Sequence, residues 1–297
     1  MERDIWRMLV AALRRLPRGR DRRQLYSDSD IIAIVLWAAQ HDRSINWACQ
    51  RGNWPKEAWR RRLPDQSTVS RRLRRGSVQT LLFMLVTFWH VGQPPARLAI
   101  LDGKPLELSE YTTDTDARVG RGAGRYAKGY KMHTLIVPDG RVLAVEITAL
   151  NAAECVIARR LLRRAVRAGL LQRDAIVLAD AAYDSNRLHR VARQLGLHLL
   201  APRKKPGTGF GARQHDPGRV ASVFITEHMP RIWEPLRRKR TDIERFFGAL
   251  ASVGGGLHTL PPWARRKHRV TPWVLAKLAI NAVRTSIRQN RVELVAA

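Results

Sequence analysis

The hydrophobic pattern between residues 97 and 201 constrains the fold more than any other feature of the chain. It predicts three strands, then a helix, a strand, a helix and a short final strand. The turn Pro138-Asp139-Gly140 joins the second and third strands and indicates an antiparallel hairpin. The later strands alternate with helices, which is typical of parallel strands with right-handed crossovers. We therefore predict an α/β fold with a mixed five-stranded sheet flanked by helices.

The bounds of these elements follow from where each apolar run begins and ends. The predicted strands are Arg97–Leu101, Lys131–Val137, Val142–Leu150, Ala175–Ala179 and His198–Ala201. The two helices between them are Ala153–Ala168 and Ser185–Leu195. Beyond them, the pattern predicts a basic Gly/Pro loop over 202–219, a helix from Pro235 to about Ser252, and a last helix over Pro272–Gln289 that packs on the core.

Residues 1–95 show helical rather than strand patterns, and we place a linker at Pro94-Pro95. Polar residues 27–30 form an N-cap cluster before the apolar helix Ile31–Gln40. Residues 63–75 combine small polar residues with arginines, as the second helix of a helix-turn-helix motif does. A solvated basic helix has the same pattern, so both interpretations stay open. The arginines concerned are Arg71, Arg72, Arg74 and Arg75.

The net charge favours a nucleic acid as partner. Lys and Arg number 54 and Asp and Glu number 25, which gives a formal charge of +29. A chain of this charge is suited to neutralising phosphates along a nucleic acid. An arginine-rich composition from a GC-rich genome explains the choice of arginine over lysine, but it does not explain the shortage of acids.

Several classes of protein are disfavoured by simple features of the sequence. The two cysteines, Cys49 and Cys155, form no C-x-x-C pair, so a zinc ribbon and a disulfide framework are not expected. No stretch approaches the roughly 18 apolar residues that span a bilayer. The N-terminus is interrupted by charge and indicates an amphipathic helix rather than a cleavable signal. We expect a reducing cytoplasm as the compartment.

The positions of the scarce acidic residues are informative. Asp102 and Asp180 each follow an apolar strand, and strand ends point into the functional crevice of an α/β sheet. If strands one and four are neighbours, these carboxylates face each other. Glu244 lies on an arginine-rich helix, four residues after Arg240. Three carboxylates converging from these elements form an all-oxygen site of the kind that Mg²⁺ or Mn²⁺ prefers, and two such ions can clamp an in-line phosphoryl transfer.

Each acid also has a simpler explanation when it is taken singly. An Asp-Gly sequence after a strand is more often a turn. An Arg–Glu pair at i,i+4 is usually a surface ion pair worth a few tenths of a kcal/mol. The catalytic interpretation therefore depends on the three acids occurring together, in this order, in so basic a chain.

Four stretches resemble the DDE transposases of bacterial insertion sequences, in the group that includes insertion sequences four and five. They are ILDGKPL, YAKGYKMHTLIVPDGRVLAVEIT, VLADAAYDS and RRKRTDIERFFGAL, and they cover about residues 97–252. The resemblance implies a ribonuclease-H-like core with Asp102, Asp180 and Glu244 as the catalytic, metal-binding triad. It also implies cleavage of DNA at element ends by water, then joining of a 3′-hydroxyl to target DNA. We accordingly predict a helical DNA-binding region at 1–95 and a ribonuclease-H-like catalytic domain at 96–297. The resemblance also implies a bacterial cytoplasmic protein associated with the nucleoid.

Two positions depart from the third motif of that family, which is Tyr, two residues, Arg, three residues, Glu, six residues and Lys. Arg240 and Glu244 keep their spacing, but Arg237 stands at the tyrosine position and Ala251 at the lysine position. Arginine can still hold a phosphate bidentately. The missing lysine affects one DNA-backbone contact and not the metal site. The short spacing between Asp180 and Glu244 leaves no room for a large insertion domain.

These observations together predict a DNA transposase that uses Mg²⁺ or Mn²⁺, with two ions at the site. The expected partner is double-stranded DNA, both the terminal inverted repeats and the target, and synapsis of two ends predicts a homodimer on DNA. One alternative is a nuclease or recombinase of the same core that does not join strands. Another is a domesticated DNA-binding regulator, against which the presence of all three acids counts. Besides the four arginines of 71–75, the predicted DNA contacts are Lys131, Arg203, Lys204, Lys205, Arg237 and Arg240.

Three further residues near these motifs need a choice between interpretations. Asp184 follows Asp180 by four residues, and we expect it to cap the next helix because Asp180 is the residue that terminates the strand. His133 shares a strand face with Lys131, so it either approaches the site or is an ordinary half-exposed strand histidine. Tyr183 either packs beside the DNA or fills the turn.

Overall fold

The computed structural model describes residues 2–17, 24–58, 62–90, 92–205, 207, 209–210, 214–252, 256–257 and 259–288. The strands are β1 (Ala96–Glu107), β2 (Arg118–Arg121), β3 (Tyr126–Ile136), β4 (Val142–Ala149), β5 (Leu171–Leu178) and β6 (His198–Leu200). The helices are α1 (Glu2–Arg15), α2 (Asp28–Gln40), α3 (Ile45–Ala48), α4 (Gln66–Arg72), α5 (Gly76–Thr87), α6 (Glu154–Arg167), α7 (Asn186–Gln194), α8 (Pro217–His228), α9 (Pro230–Arg240), α10 (Asp242–Ala251) and α11 (Lys267–Arg288). Short 3-10 turns cover Arg51–Asn53, Phe88–His90 and Ala181–Tyr183.

The described part of the chain forms two compact units. The sheet unit lies within residues 92–107 and 118–248, and the helical unit lies within residues 1–91, 108–117 and 249–297. None of the helices in the described ranges is long and apolar enough to cross a membrane.

The sheet unit is built around β1, which lies at the centre of a mixed sheet. β3 pairs antiparallel with β1, and β4 pairs antiparallel with the far side of β3. On the other side of β1, β5 runs parallel to it and β6 runs parallel to β5. The strand order is therefore β4-β3-β1-β5-β6, with the short β2 pairing with the first residues of β3. This sheet, flanked by helices, is the predicted ribonuclease-H-like fold.

Alternation along the strands sends apolar side chains to both faces of the sheet. On one face, Leu101 and Val177 pack in the same core as the apolar stripe of α6 and residues of α7. On the other face, Leu178 and Leu200 pack with Trp233 of α9. Burying one large apolar side chain of this kind stabilises the fold by about 1.5–3 kcal/mol. Both faces of the sheet are therefore covered by helices.

The five predicted strands and the two helices between them are confirmed, although three strands are longer than predicted. β1 continues to Glu107, β3 begins at Tyr126 and β5 begins at Leu171. The predicted helix over 235–252 is wrong in one respect, because the chain forms two helices, α9 and α10, that meet at Thr241. The short β2 was not predicted, and α8 begins inside the predicted 202–219 loop, where Asp216 caps its N-terminus. Residues 206, 208 and 211–213 of that loop, and Gln289 of the predicted last helix, lie outside the described residues.

The helical unit packs α1, α5 and α11 around α2, whose residues from Ile31 to Ala39 are all buried. α2 begins at a capping box, in which Ser27 Oγ accepts a 3.1 Å bond from the Asp30 N–H and the Asp30 carboxylate accepts a 2.8 Å bond from the Ser27 N–H. Through its packing on α2 and α5, α11 belongs to this unit. The functional division of the chain at residue 95 stays a prediction.

Candidate functional site

The pairing of two central strands brings Asp102 and Asp180 side by side. β1 and β5 run parallel with Ile100 opposite Leu178. Asp102 lies two residues beyond Ile100, and Asp180 lies two residues beyond Leu178. The charge of Asp180 consequently acts on the Asp102 carboxyl group. Asp102 lies inside β1 rather than after its end, because the strand continues along β3 to Glu107.

Both carboxyl groups are harder to ionise than an isolated one. Burial is the main cause, and with the charges of Asp180 and Glu154 it raises the pKa of Asp102 to about 6, against the opposing effects of Gly103 and Arg240. The Gly103 N–H donates a 2.7 Å hydrogen bond to Asp102 Oδ1. Burial also raises the pKa of Asp180, which accepts a 2.9 Å backbone hydrogen bond from the turn after it. A nearby positive charge would stabilise the ionised form of both carboxyl groups.

Arg240 supplies part of that positive charge. Its Nη1 lies 3.9 Å from Asp102 Oδ2, and its Nη2 lies 3.7 Å from Glu244 Oε1. The side chain of Arg240 is 25% exposed and that of Glu244 is 64% exposed. Thus Asp102 and Glu244, which come from a strand and a helix, are linked through one guanidinium. Arg237, one turn earlier on α9, is exposed and pairs with Glu234 at 2.9 Å.

Sequence reasoning missed a fourth acid, Glu154, which is the first residue of α6. Its Oε1 accepts a 2.7 Å hydrogen bond from Lys131 Nζ. Glu154 acts on both Asp102 and Asp180 and contributes, after burial, to the raised pKa of each. A signal was present, since Glu154 is the only acid in an otherwise arginine-rich helix. Lys131, a predicted DNA contact, is therefore buried beside the acids with an ion-pair partner.

Tyr183 lies in the 3-10 turn after Asp180 and is buried, with 1% of its surface exposed. Among the atoms that the structure describes, its hydroxyl has no hydrogen-bond partner. Burial, followed by the charges of Asp102, Glu154 and Asp180, raises its pKa well above the ordinary value, so the phenol stays protonated. Of its two interpretations, the geometry favours the one in which Tyr183 fills the turn.

The chemistry of this donor set fits a hard divalent cation. Two half-buried aspartates and two glutamates offer only oxygen atoms, which Mg²⁺ and Mn²⁺ prefer. Within the described ranges, however, no three His, Cys, Asp or Glu side chains are already arranged to hold a metal ion. Arg240 supplies the positive charge between Asp102 and Glu244 in this arrangement.

The four arginines predicted to bind DNA on the helical unit fall into two groups. Arg71, Arg74 and Arg75 are exposed. Arg72 is only 6% exposed, because its guanidinium pairs with the Asp28 carboxylate and donates a 3.0 Å hydrogen bond to the Tyr26 carbonyl. Arg72 therefore holds the start of α2 against α4 rather than presenting its charge at the surface.

The predicted contacts after β6 surround a small cavity of about 260 Å³. Arg203 donates a 3.1 Å hydrogen bond to Glu227, and its guanidinium lies 4.7 Å from the centre of the Phe210 ring. Lys204 and Lys205 are exposed. The cavity is lined by Asp184, Arg203, Lys204, Lys205, Gly209, Phe210 and Arg219. The basic residues predicted from the loop are thus gathered at one place on the sheet unit.

Asp184 and His133 both have structural partners. Asp184 does not cap α7, whose N-cap residue is Ser185. Instead, Asp184 accepts two hydrogen bonds from Arg219, at 2.5 and 2.8 Å, which join the start of α7 to α8. His133 is buried and its Nε2 lies 2.9 Å from Thr148 Oγ1. Burial, assisted by nearby basic charges, lowers the pKa of His133 to about 3, so it is neutral at physiological pH.

Comparison with known families agrees with this geometry. The family model described as the transposase DDE domain matches residues 93–281, more than half of the chain, and the chain belongs to this family. The matched range contains Asp102, Asp180 and Glu244. No curated protein matches the chain. Family membership supports a transposase-type function, an enzyme of the nuclease and transposase class, and DNA as the partner.

Proposed function

We propose that this chain is a metal-dependent DNA transposase, in the group that includes insertion sequences four and five. It cleaves DNA at the ends of its element and joins the freed 3′-hydroxyl to target DNA. The observation that carries the proposal is the side-by-side placement of Asp102 and Asp180 on β1 and after β5, with Arg240 and Glu244 beside them. Membership of the transposase DDE family supports the same reaction class.

Asp102, Asp180 and Glu244 would hold the metal, since they supply carboxylate oxygens from two strands and a helix. A divalent cation bound there, or a pair of them, stabilises negative charge on the oxygens of the phosphoryl group. In the first step, water forms a bond to the scissile phosphorus, the bond to the 3′-oxygen breaks, and that oxygen leaves as a 3′-hydroxyl. In the second step, this hydroxyl forms a bond to a target phosphorus and displaces the target's own 3′-oxygen.

The basic residues supply binding and orientation in this proposal. Arg240 is near enough to both Asp102 and Glu244 to engage the scissile phosphate, and Arg237 is exposed one turn away. On the helical unit, the exposed Arg71, Arg74 and Arg75 would contact the DNA backbone. On the sheet unit, the cluster of Arg203, Lys204 and Lys205 would do the same. Since two element ends must be held together, we also propose that the protein acts as a homodimer on DNA.

The test is a gel assay with labelled DNA that carries the element's own ends, in Mg²⁺, Mn²⁺ or EDTA. We expect nicking at the end and joined products with either metal, and neither in EDTA. Asp102→Asn should keep DNA binding and abolish cleavage. Asp139→Asn, which removes a carboxylate that pairs with Arg141 in the β3–β4 hairpin, is the matched control and should cleave normally.

Three results would contradict the proposal in different ways. Cleavage that persists in Asp102→Asn would refute the metal-site assignment. Cleavage without joined products would indicate a nuclease or recombinase of the same core. Tight, salt-sensitive binding without cleavage in either metal would indicate a DNA-binding regulator.

A further inference from the structure

Lys131 and Glu154 form an ion pair beside the two aspartates, and the proposed reaction so far gives Glu154 no role. Lys131 Nζ lies 2.7 Å from Glu154 Oε1. The Lys131 side chain is 10% exposed and the Glu154 side chain is 24% exposed. An ion pair shielded in this way is screened much less by water and salt than a surface pair. It is therefore a fixed part of the electrostatic environment of the site.

The path of the Lys131 side chain depends on the glycine that follows Asp102. Lys131 lies opposite Pro105 in the β1–β3 ladder, and its side chain runs diagonally across Gly103. A Cβ atom at Gly103 would lie 3.1 Å from Lys131 Cδ and 3.6 Å from Glu154 Oε1. The missing side chain at position 103 leaves the space in which the lysine stem and the glutamate meet.

Lys131 and Glu154 carry charges of opposite sign, and both charges act on the aspartates. The Glu154 carboxylate places a negative charge next to Asp102, since its Oε1 would lie 3.6 Å from a Cβ at the adjoining Gly103. The Lys131 ammonium, 2.7 Å from that oxygen, places a positive charge at the same point, and this charge acts on Asp180. Glu154 therefore makes the site more attractive to a cation, and Lys131 makes it less so.

We propose that Glu154 is a positioning residue of this active site, which holds the Lys131 ammonium beside Asp180 for the scissile phosphate and adds its own charge to the attraction of the divalent cation. This inference rests on the proposed function, because it assumes that Asp102 and Asp180 bind metal. Glu154 contacts neither the metal nor the DNA in this account. It acts by fixing Lys131 and by its charge.

A positioning role for Glu154 and a purely structural ion pair lead to different effects on metal binding. Glu154→Gln keeps the shape of the side chain and an oxygen that can accept from Lys131, but it removes a negative charge. It should weaken metal binding about tenfold, the lower end of what changes to the partners of metal ligands cost. Lys131→Gln removes a positive charge and should tighten metal binding. A pair that serves only stability would shift both variants in the same direction.

The experiment is calorimetric titration of the full chain with MnCl₂, without DNA. We expect weaker binding by Glu154→Gln, tighter binding by Lys131→Gln, and no change in Glu146→Gln. Glu146 of β4 is the matched control, because its carboxylate also pairs with a basic residue, Arg160 of α6, at 2.5 Å. Arg160 lies about 9 Å further along α6 than Glu154. Thermal melting of each variant checks the fold, and tighter binding cannot result from unfolding.

A second variant separates the charge of Glu154 from its hold on Lys131. Glu154→Asp keeps the charge but is too short to reach the ammonium at the present distance. We expect nearly normal Mn²⁺ affinity and a raised KM for DNA cleavage. The inference would be overturned if Glu154→Gln and Lys131→Gln changed the Mn²⁺ affinity equally, or if neither changed it, while Asp102→Asn abolished Mn²⁺ binding. If Asp102→Asn binds Mn²⁺ normally, the proposed metal site itself is refuted.

Discussion

Replacement of Arg72 tests how the helical unit is held together. Arg72 is 6% exposed, and in Arg72→Gln the Asp28 carboxylate, whose side chain is 16% exposed, loses its guanidinium partner. The hydrogen bond to the Tyr26 carbonyl is lost as well. Removing one member of a buried ion pair costs about 3–5 kcal/mol. Because Ser77 and Arg75 also stabilise the Asp28 carboxylate, we expect the lower end, about 3 kcal/mol.

The pH dependence of this loss follows from the Asp28 carboxyl group. Burial alone would raise its pKa, but hydrogen bonds from Arg72 and Ser77 and the Arg72 charge hold the pKa below its ordinary value of 3.8. Since the folded-state pKa is depressed, the stabilisation is present above the unfolded-state pKa and is lost as the pH falls through the folded-state pKa. The difference in stability between the wild type and Arg72→Gln should therefore shrink below about pH 4.

The assay is urea unfolding followed by tryptophan fluorescence, with DNA affinity measured on the same preparations. Arg71→Gln is the matched control, because Arg71 is the exposed neighbour on the same helix. We expect Arg71→Gln to keep its stability and lose DNA affinity. If Arg72→Gln is as stable as Arg71→Gln and loses DNA affinity to the same extent, the structural role of Arg72 is refuted.

Three further predictions concern the sheet unit. Arg219→Gln removes the bidentate partner of the buried Asp184 carboxylate, so the free energy of unfolding should fall by about 1.5–3 kcal/mol, and an unchanged urea midpoint would contradict this. Because the pKa of Asp102 is about 6 and a metal ligand must be deprotonated, Mn²⁺ affinity should fall as the pH is lowered through 6. A constant affinity by calorimetry between about pH 5 and 7.5 would argue against Asp102 as a ligand. Gly129→Ala would place a Cβ against a backbone carbonyl of β1, so the free energy of unfolding should fall by about 1–3 kcal/mol. Gly248→Ala meets open space on α10 and should raise that free energy by about 0.5–1 kcal/mol. Equal melting temperatures of the two variants would refute the packing argument.

The sheet could be predicted from the sequence because its signals are local. The apolar runs, the turn at 138–140 and the alternation of strands and helices predict the strands and the β3–β4 hairpin. The parallel pairing of β1 with β5, which places Asp102 beside Asp180, joins segments about 75 residues apart and is only a condition at the level of the sequence. The break between α9 and α10 at Thr241 has no such signal, since the residues around it continue a helical pattern. Arg240 and Glu244 keep their contact across that break.

The residues that sequence reasoning placed less well depend on distant partners. Arg72 has the same local pattern as Arg71, and only its pairing with Asp28, 44 residues away, distinguishes a structural arginine from an exposed one. Glu154 resembles an ordinary acid in the first turn of a helix, where a negative charge interacts favourably with the helix dipole. Its contact with Lys131 crosses 23 residues of sequence and becomes apparent only when β3 and α6 are in place.

The most direct test of the central claim is a crystal structure of the full chain soaked in Mn²⁺, with an anomalous difference map. We expect Asp102 and Asp180 to share at least one Mn²⁺ ion, with a carboxylate oxygen of each within coordination distance of the peak. We also expect Arg240 to turn away from Asp102. A map with no anomalous peak at these two carboxylates, from a crystal whose protein cleaves DNA in Mn²⁺, would contradict the account, because the catalytic metal would then lie elsewhere.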